Sequence, residues 1–253
     1  MTINTKTLAA IDIGTNAIRL FISNVEEYPT ETLFKKIAFL RVPIRLGEDV
    51  FTTGEIGQQK GKRLCETMQG FSYIMSAFNV ESYKAYATCA MREARNGKSV
   101  AEQIQKECDL NIEIISGTKE AETIFAGGMN EVVDDDKTYL YVDVGGGSTE
   151  VIVYSKSVKV EACSFPLGTV RMLNDAVDKE EMKHFKKWLK NITEKYTPDA
   201  IIGSGGNINK IHKLLNKKER ERITYQELDI LYEYMKSFNL EERERIMKLN
   251  TYR

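Results

Sequence analysis

Residues 139–154 read YLYVDVGGGSTEVIVY: a strand, a glycine turn and a second strand. Tyr139 to Val144 is apolar and rich in aromatic and β-branched residues, as a buried strand is. Asp143 stands near its end, where an ionised side chain can reach a solvent-filled cleft. Gly145, Gly146 and Gly147 can take backbone angles closed to other residues, so their amides can turn inward as an anion nest. Ser148 and Thr149 add hydroxyl donors, and Val151 to Tyr154 leads away as the return strand. An acid beside such a cradle points to a metal–phosphate site.

The same grammar occurs near the N-terminus. Leu8 to Ile13 is a strand with Asp12 near its end, followed by Gly14-Thr15-Asn16 and a second strand from Ile18 to Val25. Either turn alone is as easily an ordinary hairpin with an acid near it. Two copies with the acid at one offset are better explained by internal duplication.

Composition bounds the rest. At 253 residues the chain makes one large domain or two small ones. A hydrophobic share of 42% supplies a core, and 29% charged residues with a net charge of −1 argue against a nucleic-acid partner. No apolar run approaches the roughly 18 residues that span a membrane, and no basic-then-apolar signal segment opens the chain. The four cysteines are scattered without a CxxC pair and there are two histidines, which argues against a Cys/His zinc site, and a reducing, cytoplasmic location is expected.

Along the chain, Phe34 to Leu46 is a third extended stretch and Gly47 to Gly54 a turn region. Ile56, Leu64, Met68, Phe71, Met75 and Phe78 recur at helical spacing within residues 55–78. Strands are expected at 81–88 and 111–115, a short turn or helix at 89–94 and a helix at 100–108. Thr118 is expected to cap a helix through Ala126, ended by Gly127-Gly128. Asp134-Asp135-Asp136 then marks an exposed link, dividing the chain into halves 1–130 and 131–253. The second half continues with a strand at 159–165, a turn at 166–169, a helix at 179–196, a short strand at 200–203 and a helix at 207–215. Thr224 with Glu227 is a capping box opening a helix to Phe238, in which Tyr232, Met235 and Phe238 read as core; a last helix spans 241–249. Alternating strands and helices give the α/β class. Antiparallel hairpins argue against a Rossmann fold, whose glycine turn leads into a helix, and no GxxxxGK[ST] occurs.

Three glycine turns are candidates for one site: Gly14-Thr15-Asn16, Gly145 to Thr149, and Ser204-Gly205-Gly206, the last preceding a helix whose first amides suit an anion. Asp12 and Asp143 are hard oxygen ligands for Mg²⁺, which binds through one or two carboxylates plus phosphate and water. Glu150 reads equally as a carboxylate holding the metal through water or as a solvated strand residue. Arg92 follows a strand and reads as a phosphate fork or as a surface ion pair with Glu93 or Glu122; Arg19, near the first turn, has the same two readings. Glu120 opens a helix, where a carboxylate suits the dipole or orients an attacking water. Lys183, Lys187 and Lys190 share a helical face, and Lys217, Lys218, Arg220 and Arg222 cluster; both could track a polyanionic chain, and interleaved acids favour a solvated face for the second.

These segments resemble the exopolyphosphatase / guanosine pentaphosphate phosphohydrolase (Ppx/GppA) family of the actin-like ATPase superfamily. The matching stretches are AAIDIGTNAIRL (9–20), YATCAMREARNG (86–97), IEIISGTKEAETIFAGG (112–128), LYVDVGGGSTEVIV (140–153), SFPLGTVRM (164–172) and IIGSGGNINKI (201–211), in family order across nearly the whole chain. The resemblance implies two ribonuclease-H-like lobes with an interlobe cleft, and Mg²⁺-dependent release of orthophosphate from a phosphoanhydride chain end. It implies Glu120 as catalytic base, Arg92 on phosphate, Asp143 and Glu150 on metal or water, and the glycine turns with Arg19 as the phosphate cradle. The expected partners are inorganic polyphosphate or pppGpp and a second copy of the chain in a homodimer, not nucleic acid or membrane. The alternatives are a non-catalytic phosphate or nucleotide sensor and an actin-like kinase. Three departures stand out: Lys119 where the family often has a second acid, Asn207 where a threonine is common, and an end at Tyr252-Arg253 without the family's closing segment.

Overall fold

Strand β1 (Asn4–Ile13) runs through the first glycine turn into β2 (Ile18–Glu27), and β2 pairs antiparallel with β3 (Thr32–Val42). Ile11 and Ile13 on β1 and Ile18, Leu20 and Ile22 on β2 alternate with outward residues and are almost fully buried, as a half-covered sheet requires. Helices α1 (Leu46–Thr53) and α2 (Gln58–Ala77) follow. Leu64, Met68, Phe71 and Met75 form the buried stripe of α2 and join the same core. Strand β4 (Ser82–Ala87) returns parallel to β1, and α3 (Cys89–Glu93), α4 (Gly97–Cys108), β5 (Glu113–Ile114) and α5 (Gly117–Ala126) complete the unit. Its sheet order is β3-β2-β1-β4-β5.

The second unit repeats the plan. Strands β6 (Thr138–Val144), β7 (Thr149–Ser155) and β8 (Val158–Phe165) form an antiparallel meander, followed by α6 (Thr169–Leu173) and α7 (Lys179–Tyr196). Strand β9 (Ala200–Ser204) pairs parallel to β6 and leads into α8 (Gly206–Leu214), α9 (Tyr225–Lys236) and α10 (Leu240–Met247). The sheet order is β8-β7-β6-β9. Met182, Phe185, Leu189 and Ile192 of α7 pack inward as their spacing predicts, and the Phe185 ring meets Phe165 edge-on at 4.9 Å.

The computed structural model describes residues 4–126, 134, 136–156, 158–218 and 221–247. The chain divides into Met1–Ile124 with Asn174–Ala176, and Phe125–Leu173 with Val177–Arg253. The expected helix end at Gly127-Gly128, Asp135 of the expected link and the end of the last helix at Leu249 lie outside the described residues.

Duplication is visible residue by residue. Asp12 stands opposite Arg19 across the first hairpin and Asp143 opposite Glu150 across the second. Gly14 N donates to Ala17 O at 3.2 Å, and Gly145 N to Ser148 O at 2.9 Å. Each residue of one set recurs in the other at one fixed separation in sequence. The strand orders match as well, with β5 added in the first unit.

Several local expectations change. The region from Gly47 to Gly54 is helix α1, not a turn. Gly47 is a glycine because a Cβ there would stand 2.3 Å from Thr15 Cγ2: close approach, not turn geometry, selects it. Helix α5 is capped by Ser116, whose Oγ accepts from Lys119 N at 3.1 Å, rather than by Thr118. The 166–169 turn is cut short by α6. The capping box at Thr224 and Glu227 has both arms, but Tyr232 is 56% exposed and Met235 and Phe238 are only partly buried; Tyr232 and Met235 line a cavity with α8 rather than a closed core.

Gly97 starts α4 against α3, and a Cβ there would stand 2.0 Å from Met91 O. Since Met91 is 1% exposed, its backbone has little room to give. Gly97→Ala should lower unfolding free energy by about 1–3 kcal/mol; a urea midpoint equal to that of the parent would contradict this packing.

Candidate phosphate-binding turns and acid–base groups

In the second unit Asp143, Glu150 and Ser204 stand side by side near the ends of β6, β7 and β9, so they share a face of the sheet. The turn between Asp143 and Glu150 is tied to residues 169–171. Thr169 N donates to Gly145 O at 3.1 Å, and Val170 N and Arg171 N donate to Gly146 O at 2.8 and 3.1 Å. The buried Arg171 gives Nε to Gly147 O at 2.9 Å. Three successive carbonyls are thus drawn toward the start of α6. A trans peptide points its N–H opposite to its C=O, so the N–H groups of Gly146, Gly147 and Ser148 are directed the other way, as an anion nest needs. Gly168 makes this possible: a Cβ there would stand 2.4 Å from Gly146 C and O and from Gly147 N.

The hydroxyls expected to help do something else. Ser148 Oγ donates to Glu150 Oε1 at 2.6 Å, and Thr149 Oγ1 donates to Leu167 O at 2.5 Å. Both residues are buried, and buried hydroxyls must find partners inside the protein. Glu150 is 1% exposed and its Oε1 also accepts from Ser164 Oγ at 3.0 Å. It therefore braces the turn through Ser148 rather than reaching outward.

The third turn joins this group. Gly205 adopts φ +95° ahead of α8, and a Cβ there would stand 2.7 Å from Asp143 Oδ1. Only glycine both takes that angle and leaves room beside the carboxylate. Gly206 is the first residue of α8. Among the described residues no three His, Cys, Asp or Glu side chains gather as a metal cage. Mg²⁺ does not need one, since it takes one or two carboxylates with phosphate and water, and Asp143 beside two glycine turns fits that donor set. Tyr141, two residues before Asp143, lies beneath the acids. Burial pushes its phenol up to about 12; Ser204 opposes the rise, and the charges of Asp143 and Glu150 add to it.

In the first unit Arg19 Nη1 is paired with Asp12 Oδ2 and lies 4.0 Å from the position of a Cβ on Gly14. Asp12 is therefore engaged by a cation, and its counterpart Asp143 stands opposite Glu150 across the second hairpin. Thr15 O accepts from Gly47 N and Asn16 O from Arg45 N, both at 3.0 Å. This turn too has its carbonyls held inward, now by α1 and the residue before it. Arg92 Nη1 donates to Ile115 O at 2.8 Å and lies 3.6 Å from Glu120 Oε2. Side-chain exposures of 26% and 17% shelter this pair more than an ordinary surface pair, and a guanidinium fixes the direction a carboxylate faces.

Gly168 and Arg171, which hold the second turn, were missed as individuals by sequence reasoning. Their stretch, SFPLGTVRM, was recognisable, but nothing in it says which turn it packs on.

Comparison with known proteins agrees with this picture. Residues 22–253 match the model of the Ppx/GppA phosphatase family. The bifunctional 3-dehydroquinate synthase/phosphatase of Fusobacterium nucleatum is 32% identical over 168 residues, 65% of this chain and 25% of that protein. Exopolyphosphatase 1 of Mycobacterium tuberculosis is 24% identical over 225 residues, 82% of this chain and 63% of that protein. The chain thus spans a quarter of the first relative and less than two thirds of the second. A crystal structure of the Aquifex aeolicus member of the Ppx/GppA family superposes with a TM-score of 0.76 at 25% identity, covering 97% of this chain and 83% of the other. With the two matching sheets, this identifies the expected ribonuclease-H-like units of the actin-like ATPase fold.

Gly168→Ala should push the Gly146–Gly147 peptide out of place. Displaced amide resonances of Gly146, Gly147 and Ser148, with a stability loss of roughly 1–3 kcal/mol, are expected; unmoved resonances would show that the turn does not depend on this contact. The raised Tyr141 phenol has a pH consequence. Between pH 10 and about 12 the unfolded tyrosine loses its proton while the folded one keeps it, so stability falls as pH rises, by at most about 1.4 kcal/mol per unit from this group. Alkaline denaturation of Tyr141→Phe should lack that component, and superimposable curves for variant and parent would remove it.

Proposed function

This chain belongs to the Ppx/GppA phosphatase family, and on that premise we propose that it hydrolyses the terminal phosphoanhydride of inorganic polyphosphate, releasing orthophosphate. The observation that carries the proposal is the second glycine turn, whose three carbonyls are tied to residues 169–171 so that consecutive amides are presented beside Asp143. These amides bind phosphate oxygens and stabilise the charge that builds there during transfer. Gly205 and Gly206 extend the cradle, and Gly14, Thr15 and Asn16 with Arg19 provide the corresponding backbone and guanidinium in the first unit. Glu120 is the general base. Its carboxylate, oriented by Arg92, takes a proton from water as the water oxygen bonds to the terminal phosphorus and the bridging oxygen leaves with the shortened chain.

Mg²⁺ is the proposed metal, held by Asp143 with phosphate and water, and it would supply neutralisation of the phosphate oxygens. Glu150 supports Asp143's side of the turn through Ser148, and Asp12 is less suited because Arg19 already pairs with it. The relatives whose names include phosphatase or exopolyphosphatase support this chemistry. A cytoplasmic setting fits the four free cysteines among the described residues.

One observation favours a second substrate, pppGpp. Asn207, Lys210, Ile211 and Leu214 of α8, the helix that starts at the third turn, line an apolar cavity of about 500 Å³ with Tyr225 and Tyr232 of α9. Such a cavity suits a flat base next to a phosphate-binding turn.

Orthophosphate release from long-chain polyphosphate and from pppGpp, with Mg²⁺ and with EDTA, tests the proposal. Metal-dependent release from polyphosphate is expected. Release from pppGpp alone would favour the second substrate, and no release from either by folded protein that binds polyphosphate would make it a sensor. Glu120→Gln should lower turnover about 10²–10⁴-fold, and a folded variant with full turnover would remove Glu120 as the base.

A further inference from the structure

Helices α2 and α4 of the first unit bring two thiols face to face. Cys65 Sγ on α2 and Cys108 Sγ on α4 stand 4.0 Å apart, although the residues are 43 positions apart in the chain. They arrive there on the stripes that build the core. Leu64 and Met68 neighbour Cys65 on α2, Ile104 lies one turn before Cys108 on α4, and all three are almost fully buried. Cys108 belongs to that core and Cys65 packs against it. Hydrogen bonds orient both thiols as well. Cys65 Sγ donates to Glu107 Oε2 at 2.9 Å, and Cys108 Sγ donates to Cys65 O at 3.7 Å.

A disulfide holds its sulfurs about 2.05 Å apart, so closing this pair needs a combined approach of roughly 2 Å. Cys108 is placed to give way: it is the last residue of α4, and Asp109 after it is already left-handed at φ 53°. A helix end yields more readily than its interior. The other cysteines are engaged elsewhere. Cys89 Sγ donates to Glu93 on its own helix at 3.2 Å, and Cys163 lies on β8 of the second unit. Burial pushes the Cys65 thiol up to about 12, its bond to Glu107 adds to the rise, and burial also raises Cys108. The thiolate is the reacting form, so the pair rests as a dithiol and closes slowly under a sustained oxidant.

We propose that Cys65 and Cys108 are a site of reversible intrachain disulfide formation by hydrogen peroxide, and that the bond braces α2 against α4. Cys65, the less buried of the two, loses its proton, and its sulfur bonds to one peroxide oxygen. The O–O bond breaks, and the other oxygen takes up a proton and leaves as water. The Cys108 sulfur then attacks the sulfenic sulfur of Cys65. The S–O bond breaks, and the hydroxyl leaves with the Cys108 proton as a second water. Two thiols are thus oxidised by two electrons while one peroxide is reduced to two waters. A small dithiol reverses the step by exchange and is itself oxidised to a disulfide. This inference does not depend on which substrate the chain takes.

The test treats the folded full chain with hydrogen peroxide at pH 8.5, blocks the remaining thiols and maps the peptides by mass. The Cys65 and Cys108 peptides should be joined, with two of the four thiols lost and both restored by dithiothreitol. The thermal midpoint of the oxidised chain should rise by about 5–10 °C, as for a cross-link that closes a long loop. A Cys89→Ser, Cys163→Ser double variant should behave as the wild type does. Cys65→Ser should lose both the joined peptide and the rise, and wild-type mapping decides the pairing even where a variant does not fold. No joined peptide, a different pair, joining only in urea, or a midpoint that does not rise would each overturn the inference.

Discussion

The carbonyls of Gly145, Gly146 and Gly147 are held by Thr169, Val170 and Arg171, and the candidate site depends on that tie. Three glycines in a row carry a large conformational entropy, and a turn built from them alone would not hold one arrangement of its amides. The hydrogen bonds remove that freedom. Glu150 completes the brace by taking the Ser148 hydroxyl. Gly168 is as necessary as the turn's own glycines, because the two backbones meet where no Cβ fits.

The first hairpin solves the same problem with different residues. Its turn carbonyls at Thr15 and Asn16 are held by Gly47 and Arg45, and Gly47 again has no room for a Cβ. The two copies differ in the charge opposite the conserved aspartate position of the repeat. Arg19 faces Asp12, whereas Glu150 faces Asp143. An ion pair engages the first aspartate. In the second, two acids stand opposite each other at the strand ends. One repeated hairpin thus sets a guanidinium beside its aspartate in one unit and a second carboxylate in the other.

Much of this was legible in the chain. Short apolar, β-rich runs marked β1, β2, β6 and β7, the last buried on both faces from Val151 to Tyr154, and helical spacing marked α2 and α7, each with one stripe in the core of its own unit. Thr224 and Glu227 announced α9 through a cap whose partners are three residues apart. Short elements were harder. Helix α1 was hidden because Gly47 looks like a turn residue until Thr15 is seen against it. The exposure of Tyr232 could not be read from spacing, since a stripe of apolar residues does not say whether another layer covers it.

For the site, sequence alone determined the duplicated strand–turn–strand, the positions of Asp12 and Asp143, and the glycines that permit anion-binding turns, because these are local patterns with local physical causes. Tertiary structure alone decided that Ser148 and Thr149 turn their hydroxyls inward, that Glu150 braces rather than reaches out, that Arg92 meets Glu120, and that residues 168–171 aim the turn. Each of these depends on which distant segment occupies the space beside a residue. A hydrogen bond or a steric contact between segments far apart in the chain leaves no periodic trace in either of them.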